Sequence, residues 1–126
     1  MKLTFDKNAK LKSKKAIESL FSEGQSYVSH PIRIVFTAEA AEQYEMKVGV
    51  SVAKKRFKHA VDRNLLKRRI REAYRLNQHL VDLPEHSVDA LFIYTSSKIK
   101  DFEVINQSMK EILQKLHTKV NKKEQQ

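Results

Sequence analysis

The sequence predicts an α+β fold, a two-layer α/β sandwich in which one mixed sheet of about four strands packs against helices. Three observations carry that expectation. Met46, Val48, Val50 and Val52 alternate with Lys47, Gly49, Ser51 and Ala53, the period of a strand with one β-branched face and one small or polar face. Val104, Ile105, Met109, Ile112, Leu113, Leu116 and Val120 recur at threes and fours, the period of a helix with one buried stripe. Between them a basic helical segment is followed by the apolar run VDALFIYT from Val88 to Thr95, so strand, helix and strand follow one another as a crossover unit.

The remaining elements fall in around that unit. Ser13 is a candidate N-cap for a helix over 14–23 whose Ala16, Ile17, Leu20 and Phe21 make the apolar stripe, with Gly24 as its stop signal. Pro31 then opens a strand in which Ile32, Ile34 and Phe36 alternate with Arg33 and Val35, Pro being tolerated at a strand's start. The segment AEAAEQYE is short and lies between two strand patterns, so it reads as a hairpin connection despite its helical composition. The basic helix ends before Pro84, and Asp101 is placed to cap the last helix. No repeat or low-complexity linker divides the chain, and 126 residues suit a single domain, 1–126, with ends expected to fray over 1–9 and 119–126. Small side chains at Gly49 and Ser51 would leave a groove on the sheet near Phe21 and Phe36.

Charge is the strongest functional signal. Between Lys54 and Arg75 stand ten Lys or Arg against two acids, so eight of the ten net positive charges lie in 22 residues. On a helix, Arg63, Lys67, Arg71 and Arg75 form one i, i+4 row and Asn64 and Arg68 the adjacent one, while Leu66, Ile70 and Ala73, with Tyr74 at the edge, form an inward stripe. Like charges spaced in this way repel by a few tenths of a kcal/mol per pair, roughly, so a stacked row implies an anion to meet it. Phosphate fits best, because Arg grips its oxygens in a bidentate fork, Lys adds a point charge, and Asn both donates and accepts. A membrane surface fits poorly, since the helix lacks the broad apolar face that sinks into an interface. The partner class is therefore nucleic acid, in line with a pI near 9.8.

Composition excludes other chemistries. With no cysteine there is neither a disulfide framework nor a thiol-rich zinc site. The cationic N-terminus leads into no apolar run, so a cytoplasmic, non-membrane protein is expected. His30, His59, His79, His86 and His117 show no metal-binding spacing, and the two glycines of the whole chain cannot build a phosphate-cradling loop. No catalytic residue and no protein metal site are expected.

VGVSVAKK at 48–55 followed by AVDRNLLKRRIREAY at 60–74 resembles the bacterial ribonuclease P protein component. The matching residues are Ser51-Val52, Lys54-Lys55, Ala60-Val61, Arg63-Asn64, Lys67-Arg68 and Arg71-Glu72, and the similarity extends over residues 10–117, including Leu11-Lys12. Two departures stand out: Lys58-His59 where relatives carry Gly-Asn, and Leu65 where an arginine is common. The resemblance implies an accessory subunit of an RNA-catalysed endonuclease, one protein per RNA, in which the bond is broken by a Mg²⁺-activated water with the metals held mainly by RNA. It implies RNA binding by Lys12, Lys54, Lys55, Arg63, Asn64, Lys67, Arg68, Arg71 and Arg75. It further implies a cleft for the single-stranded 5′ leader of precursor tRNA formed by Ile17, Phe21, Val35 or Phe36, and Ser51, and a left-handed crossover. Two rival readings are a structural RNA binder without a leader cleft and a DNA-binding regulator; the strand immediately before the basic helix suits a helix-turn-helix poorly.

Overall fold

In the computed structural model, residues 14–124 are described. The elements run α1 (Lys14–Glu23), β1 (Gln25–Ser29), β2 (Ile32–Ala40), β3 (Glu45–Ser51), α2 (Ala60–Asn77), a 3-10 turn (Gln78–Leu80), β4 (His86–Tyr94) and α3 (Phe102–Glu124). The strands form one mixed sheet in the order β1-β2-β4-β3, antiparallel except for the parallel pair β3 and β4. Parallel neighbours cannot be joined by a tight turn, so the chain must leave the sheet and return through α2.

One departure from expectation is topological. AEAAEQYE does not close a hairpin: β4 inserts between β2 and β3, Ala38, Glu39 and Ala40 extend β2, Glu45 opens β3, and residues 41–44 carry the chain past β4. The dense apolar face of β4 satisfies two neighbours at once, which an isolated β2–β3 pair could not. A second departure is β1, QSYVS, whose mostly exposed residues give little apolar signal and which pairs with β2 across His30-Pro31, a cis peptide.

Alternation divides the sheet into two faces. Ile32, Ile34, Phe36, Met46, Val48, Val88, Ala90, Phe92 and Tyr94 face α2 and α3 and join Leu66, Ile70, Ile105, Met109, Ile112 and Leu116 in the main core. This is the expected sandwich. On the far face α1 closes a smaller cluster, Leu20 on Val35 and Leu91, flanked by Ile17 and Ile93. Asp101 caps α3 as expected, its Oδ1 accepting from the Val104 amide at 3.1 Å. The helix continues to Glu124, into the tail expected to fray, because Val120 is buried in the core. The proposed Ser13 cap lies outside the described residues.

Two buried polar groups tie neighbouring segments together at this core. Asn77 Nδ2 donates to Asn106 Oδ1 at 2.6 Å, joining α2 to α3, and Tyr94 Oη donates to the Lys98 carbonyl at 2.6 Å while accepting from the Lys100 amide at 3.0 Å. Gly24 ends α1 by close approach: a Cβ there would stand 2.3 Å from the Leu20 carbonyl oxygen and 3.0 Å from that of Phe36. Both obstacles are backbone. Gly24→Ala is therefore expected to destabilise the protein by about 1–3 kcal/mol, read as a lower urea midpoint; an unchanged midpoint would show that α1 can shift freely on the sheet.

Candidate nucleic-acid interface

The roll of α2 is set by its inward residues. Leu66, Ile70, Ala73, Tyr74 and Asn77 are buried, and the Tyr74 ring packs on Phe92 with centroids 5.7 Å apart. Asn64, Arg68 and Arg71 are consequently exposed, and Arg63, Lys67 and Arg75 lie half-buried along the rim of the same face. The structure thus brings together all six positions expected on the helix. Lys54 and Lys55 are exposed in the turn after β3, and Lys12 lies outside the described residues.

The six do not present equal groups. Lys67, Arg68 and Arg71 form no hydrogen bond or ion pair among the described residues. Arg63 Nη1 instead donates to the Phe57 and Lys58 carbonyls, at 2.6 and 3.0 Å, closing the loop that enters the helix. Arg75 is clamped by Glu72, with Nε to Oε2 at 2.9 Å and a second contact from Nη2 to Oε1. That hydrogen bond holds the Glu72 carboxyl below its ordinary value and raises Arg75. His59 occupies the N-cap without a side-chain cap bond, and Asp62 in the first turn complements the helix dipole. Two further arginines fasten the surroundings: Arg56 donates to the Thr95 carbonyl, and Arg69, away from the basic rows, donates to that of Lys100 at 2.6 Å.

The expected cleft residues divide. Gly49 and Ser51 lie on the α1 face, where α1 leaves β3 half-exposed, and Phe21 on α1 is 58 % exposed. Ile17 is half-buried at the edge of the Leu20 cluster. Phe36 does not belong there: its register with Ala90 turns it to the main core, where it is 2 % exposed and stacks on Tyr27 at 5.6 Å. Val35 faces α1 but lies beneath it at 3 % exposure, so neither supplies an open surface to a ligand. Alternation in β2 told the two faces apart without saying which was covered.

Register shows more of this face than the motif did. Across β2, β4 and β3 it reads as successive rows: Arg33, Ile93 and Ser51; Val35, Leu91 and Gly49; Thr37, Asp89 and Lys47; Glu39, Ser87 and Glu45. Arg33, Ile93, Lys47 and Asp89 carried no separate signal in the sequence, because their shared face depends on strand order. Asp89 is half-buried, and its carboxyl is raised chiefly by burial, with Lys47 opposing and Glu39 and Glu45 adding to the rise. A pocket lined by Tyr27, Glu111, Gln114, Lys115, Thr118 and Lys119 lies between β1 and α3, away from all of these residues. Among the described residues no group of three or more His, Asp or Glu side chains is disposed to hold a metal, and no helix is long and apolar enough to cross a membrane.

A mixed sheet with an ordered cationic helix on one face and a half-open, partly cationic groove on the other defines a nucleic-acid-binding α+β protein. The family model described as Ribonuclease P matches residues 5–117. The ribonuclease P protein component of Porphyromonas gingivalis (strain ATCC 33277) is 39 % identical over 113 residues, covering 85 % of this chain and 82 % of the relative. That of Petrotoga mobilis is 30 % identical over 105 residues, covering 83 % and 84 %. The RNase P protein of Thermotoga maritima shares the fold with a TM-score of 0.70 at 22 % identity, over 84 % of this chain and 96 % of that one. The Staphylococcus aureus protein does so with 0.68 at 21 %, over 87 % and 96 %. The chain belongs to the ribonuclease P protein family.

Arg63 and Arg68 should therefore respond differently to truncation. Arg63→Ala is expected to cost about 1.5–3 kcal/mol, because two loop carbonyls lose a charged donor, whereas Arg68→Ala should stay within about 0.5 kcal/mol. Chemical denaturation of the two variants decides this; equal stabilities would mean that the Arg63 bonds are incidental.

Proposed function

We propose that this chain is the protein subunit of ribonuclease P, the ribonucleoprotein that removes the 5′ leader from precursor tRNA, acting in the cytoplasm with one protein per catalytic RNA. The observation that carries this reading is the α2 surface: Lys67, Arg68 and Arg71 stand exposed or at the rim with no hydrogen-bond or ion-pair partner among the described residues, on a helix whose roll is locked by the core, in a chain that belongs to the family.

On this reading the polypeptide binds and orients, and does not break the bond. Lys67, Arg68 and Arg71, with Asn64 beside them, neutralise backbone phosphates of the RNA subunit. Arg63 and Arg75 contribute charge while shaping the loop and the helix surface. Lys54 and Lys55 extend the cationic surface to the end of β3, next to Ser51 on the α1 face, which lets one protein hold both the catalytic RNA and the emerging leader. Phe21, Ser51 and the half-exposed floor of β3 accept the leader, an aromatic ring stacking on any base at about 1–3 kcal/mol. Mg²⁺, held mainly by the RNA, supplies the activated water. The left-handed sense of the β3–α2–β4 crossover belongs to the same proposal.

Reconstitution tests it. Added to a bacterial ribonuclease P RNA, the protein should stimulate cleavage of precursor tRNA at low Mg²⁺, and absence of stimulation overturns the assignment. The variant K67A/R68A/R71A should retain its thermal unfolding profile, bind the RNA more weakly, and show a slope of log affinity on log salt shallower by about 2 to 3. An unchanged slope would mean that these side chains do not meet phosphate.

A further inference from the structure

The α1 face of the sheet changes sign along its length. Its first row carries Arg33, with Lys54 and Lys55 in the turn that follows Ser51; its last carries Glu39 and Glu45 on either side of Ser87. Between them, Asp89 lies opposite Lys47, which is itself within 3.7 Å of Glu45. The far end therefore sets three carboxylates against one ammonium, and that ammonium is already engaged. From the Arg33 row to the Thr37 row the strands rise about 13 Å, and to the Glu39 row about 20 Å.

A single nucleic-acid strand laid along this face meets two different surfaces. At the first row its phosphates are attracted. Over the next row, where Val35 and Leu91 lie beneath α1, the half-exposed Gly49 of β3 offers a floor without charge. Beyond Lys47, itself paired with Glu45, each further phosphate approaches carboxylates, and Coulomb repulsion at such range is screened only in part, since the Debye length is about 8–10 Å at physiological salt. The alternative use of the acids, as protein-bound cation ligands, finds no converging donor cluster among the described residues.

We propose that the acidic end formed by Glu39, Glu45 and Asp89 is a charge barrier that limits how many leader nucleotides the cleft engages. This rests on the leader-cleft reading above and specifies its reach. A stacked strand rises about 3.4 Å per nucleotide, so the span up to the Thr37 row holds about four nucleotides, after which the strand is turned off the sheet. The barrier thus makes the protein sensitive to the presence of a leader and indifferent to its total length.

The test uses the reconstituted ribonucleoprotein and precursor tRNAs whose leaders are lengthened one nucleotide at a time from about two to about ten. With the unaltered protein, affinity should rise with the first nucleotides and then reach a plateau. With E39Q/E45Q/D89N the rise should continue, giving roughly a threefold to tenfold gain for the longest leaders and none for the shortest. E39Q/E45Q, which leaves half-buried Asp89 in place, should show part of the same effect and guards against misfolding of the triple variant. A plateau at the same length in all three proteins overturns the barrier alone, as does an equal gain at every leader length. Affinity independent of leader length in the unaltered protein overturns the cleft reading itself.

Discussion

The packing of one narrow stripe of α2 against the sheet decides where every cation of that helix points. Leu66 and Ile70 are completely buried, Ala73 adds a small contact that lets the helix approach, and Tyr74 packs on Phe92. A helix has a single rotational freedom once its axis is placed, and this stripe removes it. Rotation by one residue, about 100°, would bury charge and expose Leu66, at a cost of several kcal/mol. The cationic rows are therefore a consequence of core packing, and their mutual repulsion is borne by contacts on the other side of the helix.

The parallel pairing of β3 with β4 is the second constraint. It forces the crossover, and it sets the loop from Val52 to His59 at the ends of both strands, where the two faces of the sheet meet. That loop is held by side chains that charge counting alone would assign to RNA: Arg56 reaches the Thr95 carbonyl and Arg63 the Phe57 and Lys58 carbonyls. Phe57 anchors its middle, buried against Tyr94 with centroids 5.9 Å apart. These anchors keep Lys54 and Lys55 at the edge between the α2 surface and the α1 face. They also bear on the departure at Lys58-His59, because a loop pinned through its carbonyls tolerates side-chain change more readily than loss of its arginine donors.

Much of this was legible in the sequence where the signal was local. The period of Met46 to Val52, the stripe of α3, the Asp101 cap and the inward residues of α2 all depend on neighbours within a turn or two, and they stand as read except for Val104, which is 41 % exposed at the start of α3. What was not legible depended on pairing. β1 has only Tyr27 and Val28 to mark it, and its existence rests on β2 as partner. The expected β2–β3 hairpin failed because β4, some forty residues later, pairs with both strands. Phe36 was misplaced for the same reason, since alternation separates two faces but strand order and helix placement decide which is covered. The relative placement of the motif residues on α2, by contrast, followed from helical periodicity.

That division explains why the α1 face is the less obvious of the two surfaces. Its polarity exists in no contiguous segment: Arg33 and Glu39 lie on β2, Lys47 and Glu45 on β3, Asp89 on β4, and only the register aligns them into rows. A strand that alternates charge in its own sequence can still build a graded surface when its neighbours are graded in the same direction, and here they are. The edge position of β3 matters as well. Because α1 covers β2 and β4 but not β3, the Ser51-to-Glu45 side of the gradient remains open while the apolar row beneath α1 supplies its rigidity. Moving α1 by one strand would seal the gradient, and the same sheet would then offer no groove.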